Sequence, residues 1–227
     1  MILFNCHECV CVYSKMFPSK NNATLVCSKS EYGKIFMFEA TLHLAEQGNK
    51  VFYISPEPLK SFPATYHDRN ITPVIFNMIK FLYLSNYEVL IKQLAELHTF
   101  ASLPSVLVIE DLNHYITDTT IKEHKDVHIA RLCALIQDTL NTCMRAKNSS
   151  IQFCTSTNLD TFDIPYFSYF NRVWLVNDKK EHNQVLIELS SIRLALNNLD
   201  NCDERRKIFR YRFFEDRTLI LDKIVEK

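Results

Sequence analysis

Glycine is almost missing from this chain. Of 227 residues only Gly33 and Gly48 are glycines. An intact glycine-dense nucleotide loop, a glycine-turn repeat or a collagen-like segment needs a Cβ-free residue at several fixed positions, and none of these fits. An excess of either charge is missing too. Lys and Arg number 26, as do Asp and Glu, so no global field draws the chain to nucleic acid or membrane. Any polyanion contact has to come from a local patch. Long apolar runs are also absent. No stretch approaches the ~18 apolar residues of a membrane span. The opening MILFNCHECVCVYSK has neither the basic stretch nor the apolar run of a secretion signal. Without a secretion signal, the eight cysteines read as reduced thiols of a cytosolic or nuclear protein. Cys27, Cys133, Cys143 and Cys154 lie on apolar stretches and are expected in the core. Cys6, His7, Cys9 and Cys11 stand too close together for separated ligand pairs, so no metal site is expected.

What is present suffices for a folded protein. Hydrophobic residues make up 47% and charged residues 23%, which argues against wholesale disorder. The length suits one domain with a short appendage. Residues 1–22 read as an N-terminal segment, either an edge strand or a docking arm. Residues 23–227 read as one domain, best supported over 23–158.

Ala23–Cys27 is a compact apolar strand. Phe36, Ala40, Leu44 and Ala45 then recur at helical spacing, and Gly48 stands where a helix C-cap glycine would. Val51–Ser55 is the next strand, closed by Pro56 and Pro58. Strand, helix, strand is the opening of a parallel sheet. Residues 59–73 read as irregular. Residues 74–98 allow one continuous helix, but a split is more attractive: strand Ile79–Leu84, turn and N-cap at Ser85-Asn86, helix Tyr87–His98. Val106–Ile109 is a short apolar strand. Residues 116–126 are polar and loop-like. Val127–Ala146 is a long helix with Ile129, Leu132, Cys133, Ile136, Leu140 and Cys143 on one side, followed by strand Ile151–Ser156. Four more strands are expected at Arg172–Val176, Val185–Leu189, Arg210–Phe214 and Leu219–Leu221, with Asn177-Asp178-Lys179 as a turn. The expected class is α/β: a mostly parallel central sheet flanked by helices and extended by C-terminal antiparallel strands.

Two segments carry chemistry. Ser28-Lys29-Ser30-Glu31-Tyr32-Gly33-Lys34-Ile35 occupies the place of G-x-x-x-x-G-K-[ST] between a strand and a helix. In a working loop the backbone N–H groups wrap phosphates, the lysine reaches them, and the following hydroxyl holds magnesium. Gly33 and Lys34 keep that pattern, and Ser28 and Ser30 stand in the loop. Ser28 replaces the first glycine, Ile35 replaces the hydroxyl, and Glu31 adds negative charge. Val106–Ile109 ends in Glu110-Asp111, an apolar strand with carboxylates at its end. Such a pair can hold magnesium or orient water, so Glu110 and Asp111 are the catalytic candidates if the chain hydrolyses nucleotide.

These pieces, in this order, resemble the RecA-like recombinase ATPases. More narrowly they resemble the SWIM-domain-associated ATPase, the recombinase paralogue that partners a SWIM zinc-finger protein in a Shu-type complex. The resemblance runs through residues 23–116, including Pro58-Leu59-Lys60-Ser61-Phe62-Pro63, IKFLYLSNYEVLIKQLAEL and SVLVIEDLNHYI. It implies a RecA-like P-loop NTPase core with a degenerate phosphate loop. It also implies a nuclear role in homologous recombination repair, as a heterodimer with a SWIM-domain protein that supports a recombinase or its paralogues on single-stranded DNA. ATP and magnesium would bind weakly at Ser28, Ser30, Gly33 and Lys34, and hydrolysis would be weak or absent. An active small ATPase and a protein-binding adaptor without DNA contact are the alternatives. The clearest basic patch is Arg205, Arg206, Lys207, Arg210 and Arg212, with Phe209 and Tyr211 interleaved, a pattern suited to phosphate contact and base stacking. In a strand, Arg210 and Arg212 would face away from Phe209, Tyr211 and Phe213.

Overall fold

The structure, a computed structural model, describes residues 23–59, 65–66, 72–118, 124–158, 169–181, 184–192 and 207–226. Strand β1 (Ala23–Ser28) leads into helix α1 (Tyr32–Glu46) and strand β2 (Val51–Ser55). Gly48 closes the helix at φ 80°, a left-handed conformation that glycine adopts without steric cost. A two-residue strand β3 (Thr65–Tyr66) and a short helix α2 (Pro73–Asn77) precede strand β4 (Ile79–Tyr83). Residues 74–98 therefore do split. Asn86 caps helix α3 (Tyr87–Glu96) by accepting the Val89 N–H at 3.0 Å. Strand β5 (Val106–Ile109), helix α4 (Leu112–Ile116), helix α5 (Lys125–Lys147) and strand β6 (Gln152–Asn158) complete the first two-thirds.

The chain ends in strands β7 (Arg172–Glu181), β8 (Gln184–Ile192), β9 (Lys207–Phe213) and β10 (Thr218–Glu226). The ten strands among the described residues form one sheet in the order β3-β10-β9-β8-β7-β1-β6-β5-β2-β4. Strands β7, β1, β6, β5, β2 and β4 run parallel. Strands β8, β9 and β10 extend the sheet with antiparallel neighbours. The expected α/β class is the observed one. Asn177-Asp178-Lys179 is not a turn. These residues continue β7 and pair with Leu186–Glu188, because cross-strand pairing with β8 outweighs their turn propensity.

Two cores lie on opposite faces. On one, Leu25, Phe52, Leu107 and Phe153 pack beneath α3 and α5, and the predicted apolar side of α5 is buried throughout. On the other, Val26, Tyr53 and Val108 pack beneath α1. Helix α1 is buried on all sides from Ile35 to Ala45, not along a single stripe. The antiparallel wing explains this: Phe36 meets Tyr211 edge-to-face at 5.1 Å, and α2 and β3 also touch the helix. The four apolar cysteines are buried thiols, and burial pushes Cys27 and Cys133 up to about 12, so they remain protonated at neutral pH.

Candidate functional site at the carboxyl ends of the parallel strands

The sheet order places β6 between β1 and β5. The loop after β1 and the carboxylates after β5 thus open at the same end of the sheet, one strand apart. Lys34, in the first turn of α1, reaches across. Its Nζ lies 2.8 Å from Glu110 Oε1. The other carboxylate oxygen is also taken, because Tyr53 O–H donates to Glu110 Oε2 at 2.8 Å. The Glu110 side chain is 3% exposed and that of Lys34 is 53% exposed. A buried carboxylate needs such partners, since an uncompensated charge in the interior is strongly destabilising. Burial alone would lower the Lys34 pKa. The hydrogen bond and charge of Glu110, with Asp111 and Glu57, raise it overall above the ordinary lysine value. Burial, then the charge and hydrogen bond of Glu110, hold Tyr53 well above the usual phenol range and therefore protonated as the donor.

The loop is folded onto itself. Ser28 Oγ donates to the Ser30 carbonyl at 2.8 Å and accepts the Ser30 N–H at 3.2 Å. A Cβ on residue 33 would sit 2.7 Å from the Ser28 Cβ. Gly33 is thus required by close approach to Ser28, whatever the loop binds. Ile35 is 6% exposed and packs in the core under α1.

Across the mouth, Asp111 adopts a left-handed backbone at φ 52°, and its N–H donates to Ser156 Oγ at 2.9 Å. Thr155 Oγ1 donates to the Ile109 carbonyl, and Thr157 Oγ1 to Asn113 Oδ1. Three successive β6 side chains therefore hold the end of β5 and the segment after it. Among the described residues no group of three or more His, Cys, Asp or Glu is placed to hold a metal ion.

Of the residues singled out from sequence, Lys34 and Glu110 come together directly. Asp111 lies beside them, close enough for its charge to act on Lys34. Ser28, Ser30 and Gly33 interlock within the loop. Sequence reasoning missed Tyr53, Glu57 and the β6 hydroxyls. Tyr53 was visible as a phenol in an otherwise apolar buried strand, a group that needs a partner. Glu57 follows β2 as Glu110 follows β5, and Ser55 Oγ donates to its carbonyl at 2.8 Å.

The side chains do not fit a magnesium nucleotide as they stand. Ile35 offers no oxygen to a metal, and both Glu110 oxygens already have partners. A phosphate drawing Lys34 away would leave a buried carboxylate with one partner. Breaking a fully buried pair costs about 3–5 kcal/mol; the penalty here is smaller because Lys34 is half exposed.

The basic segment is a different place. Arg205 and Arg206 lie outside the described residues, as do Cys6, His7, Cys9, Cys11 and residues 60–63. Lys207, Arg210 and Arg212 lie on β9. Arg210 and Arg212 do face away from buried Phe209 and Tyr211. Each cation is paired: Lys207 with Glu226 at 2.9 Å, Arg210 with Glu188 at 2.6 Å and Arg212 with Asp222 at 2.6 Å.

No protein-family model matches the sequence, and no curated protein matches it. Solved structures do. One solved ATPase domain superposes with a TM-score of 0.57 at 8% identity, over 92% of this chain and 86% of that one. The flagellar accessory protein FlaH from Methanocaldococcus jannaschii gives 0.56 at 8% identity, over 92% and 94%. A DnaB-like replicative helicase, solved with its interactions with primase, gives 0.55 at 9% identity, over 89% of this chain and 59% of that one. With the β1–α1 loop and the β5 carboxylates at one end of the sheet, these similarities identify the fold as that of the RecA-like ATPase domains.

Proposed function

We propose that this chain is a RecA-fold accessory subunit whose phosphate site is held shut by its own side chains, with weak or absent ATP hydrolysis. The observation that carries this reading is the engagement of each Glu110 oxygen, one by Lys34 and one by Tyr53. A RecA fold without a usable metal site still offers a scaffold for partners. The finer assignment rests on the sequence resemblance. The chain acts in the nucleus, in homologous recombination repair, as a heterodimer with a SWIM zinc-finger protein that supports a recombinase filament on single-stranded DNA. Calorimetry with ATP and magnesium, on wild type and Lys34→Ala in the presence of a SWIM-domain protein, tests both halves. The expected result is a stoichiometric protein complex with little or no nucleotide heat in either variant. Tight ATP binding that Lys34→Ala abolishes contradicts the closed site, and failure to form the complex contradicts the partner.

A second reading, a protein-binding adaptor without DNA contact, draws on the carboxylate pairing of Lys207, Arg210 and Arg212. Polyanion affinity measured with and without the partner separates the two.

A further inference from the structure

We infer that the outer face of the antiparallel wing, away from α1, is a binding cleft for the phosphodiester backbone of a single-stranded nucleic acid, with Lys179 and Lys223 as its contacting cations. The choice of ligand rests on the single-strand contact proposed above, while the cleft stands on its own geometry.

The cleft has a volume of about 390 Å³ and is lined by Lys179, Glu188, Arg210, Arg212, Asp222 and Lys223, with Leu186 in its floor. Four cations face two carboxylates there, a local excess of positive charge in a chain that has none overall. The strand register arranges them in two rows. Lys179 lies opposite Leu186, and Leu186 opposite Arg212. Glu188 lies opposite Arg210, and Arg210 opposite Lys223. Neighbouring strands stand about 4.8 Å apart, so the three spacings from β7 to β10 span about 14 Å, the length of a few nucleotides.

The two kinds of cation have different jobs. Arg210 and Arg212 are tied to Glu188 and Asp222. These pairs set the shape of the floor and cancel their own charge. Among the described residues, Lys179 and Lys223 have no carboxylate within ion-pair distance. They stand on β7 and β10, at opposite sides of the cleft. An incoming phosphate meets them without displacing an anion. Leu186 is the one apolar side chain among the described lining residues. A peptide partner would need side-chain pockets for anchorage. A repeated backbone charge needs only spaced cations.

The test is fluorescence anisotropy of a labelled oligothymidylate with the full chain, titrated at several salt concentrations. The double variant Lys179→Gln/Lys223→Gln is expected to lose about tenfold in affinity. Its salt slope should shrink by about 1.4, the value for two lost single-strand phosphate contacts. Glu188→Gln/Asp222→Asn frees both arginines and is expected to bind several-fold tighter. Lys92→Gln, on α3 at the other end of the sheet, should bind like wild type. If wild type binds and the double lysine variant matches it in affinity and slope, the cleft is wrong while the single-strand contact survives elsewhere. If wild type does not bind, both fall. If polyglutamate displaces the oligonucleotide at equal charge concentration, the face belongs to an acidic protein segment and the inference is overturned.

Discussion

The carboxyl ends of the parallel strands and the outer face of the wing both carry cations beside carboxylates, yet they hold charge in opposite ways. At the strand ends Glu110 is buried and uses both oxygens, one on Lys34 and one on Tyr53. On the wing the pairs are partly exposed, and two lysines stand without partners among the described residues. The difference follows from solvent. In the interior a charge must be matched atom by atom, so the arrangement is rigid and belongs to the fold. On the surface water shares the work, each pair contributes little to stability, and partners can be exchanged for a ligand. The Lys34–Glu110–Tyr53 arrangement is thus the more constrained of the two, and the wing keeps two lysines without an ion-pair partner among the described residues.

Substitutions break or sharpen this contrast in graded order. Lys34→Ala leaves the buried Glu110 carboxylate with Tyr53 as its one partner among the described residues and, discounted for the half-exposed lysine, is expected to destabilise the protein by about 2 kcal/mol in urea unfolding. A phosphate-binding lysine with no structural role would leave stability unchanged. Because the folded-state pKa of Lys34 is raised, its contribution is complete below the unfolded lysine value and lost as pH climbs through the folded one. The gap between wild type and Lys34→Ala should therefore hold from neutral pH to about 10 and narrow above it; a gap constant into stronger alkali would remove the ion pair as its cause. Gly33→Ala pushes a methyl onto Ser28 and is expected to cost about 2 kcal/mol. Adding Ser28→Gly should recover most of that loss, and strict additivity in the double-mutant cycle would refute the contact. Tyr53→Phe removes one hydrogen bond to a charged acceptor, worth about 1.5 kcal/mol by the same assay. Glu188→Ala, on the wing, should change stability by no more than about 0.5 kcal/mol. A larger loss there would erase the contrast.

Much of the fold was legible in the sequence, for identifiable reasons. Val106–Ile109 is wholly apolar and Val51–Ser55 is apolar but for the hydroxyls of Tyr53 and Ser55; both are short and bounded by polar or proline residues, as doubly covered parallel strands are. The split of residues 74–98 turned on Asn86, whose capping side chain is local chemistry. Two things were not legible. Asn177-Asp178-Lys179 has turn composition, and only pairing with a neighbouring strand overrides it. The full burial of α1 depends on the wing reaching round to Tyr211, which no window of sequence encodes. At the site, Lys34 and Glu110 were readable from their places in the motif. Their direct contact was not, since it depends on β6 standing between β1 and β5. Tyr53 escaped notice because an apolar strand reads as core whether or not one of its rings carries a committed hydroxyl.

The most direct measurement is urea unfolding of wild type and Lys34→Ala, each with and without millimolar magnesium ATP. A ligand at a hundred times its dissociation constant stabilises the folded state by about 2.7 kcal/mol, so binding would be plain in the midpoint. A self-closed site predicts a wild-type midpoint that ATP does not move and a lower midpoint for Lys34→Ala with or without nucleotide. An ATP-dependent rise in wild type that vanishes in Lys34→Ala, with equal stability of the two proteins in its absence, would contradict it.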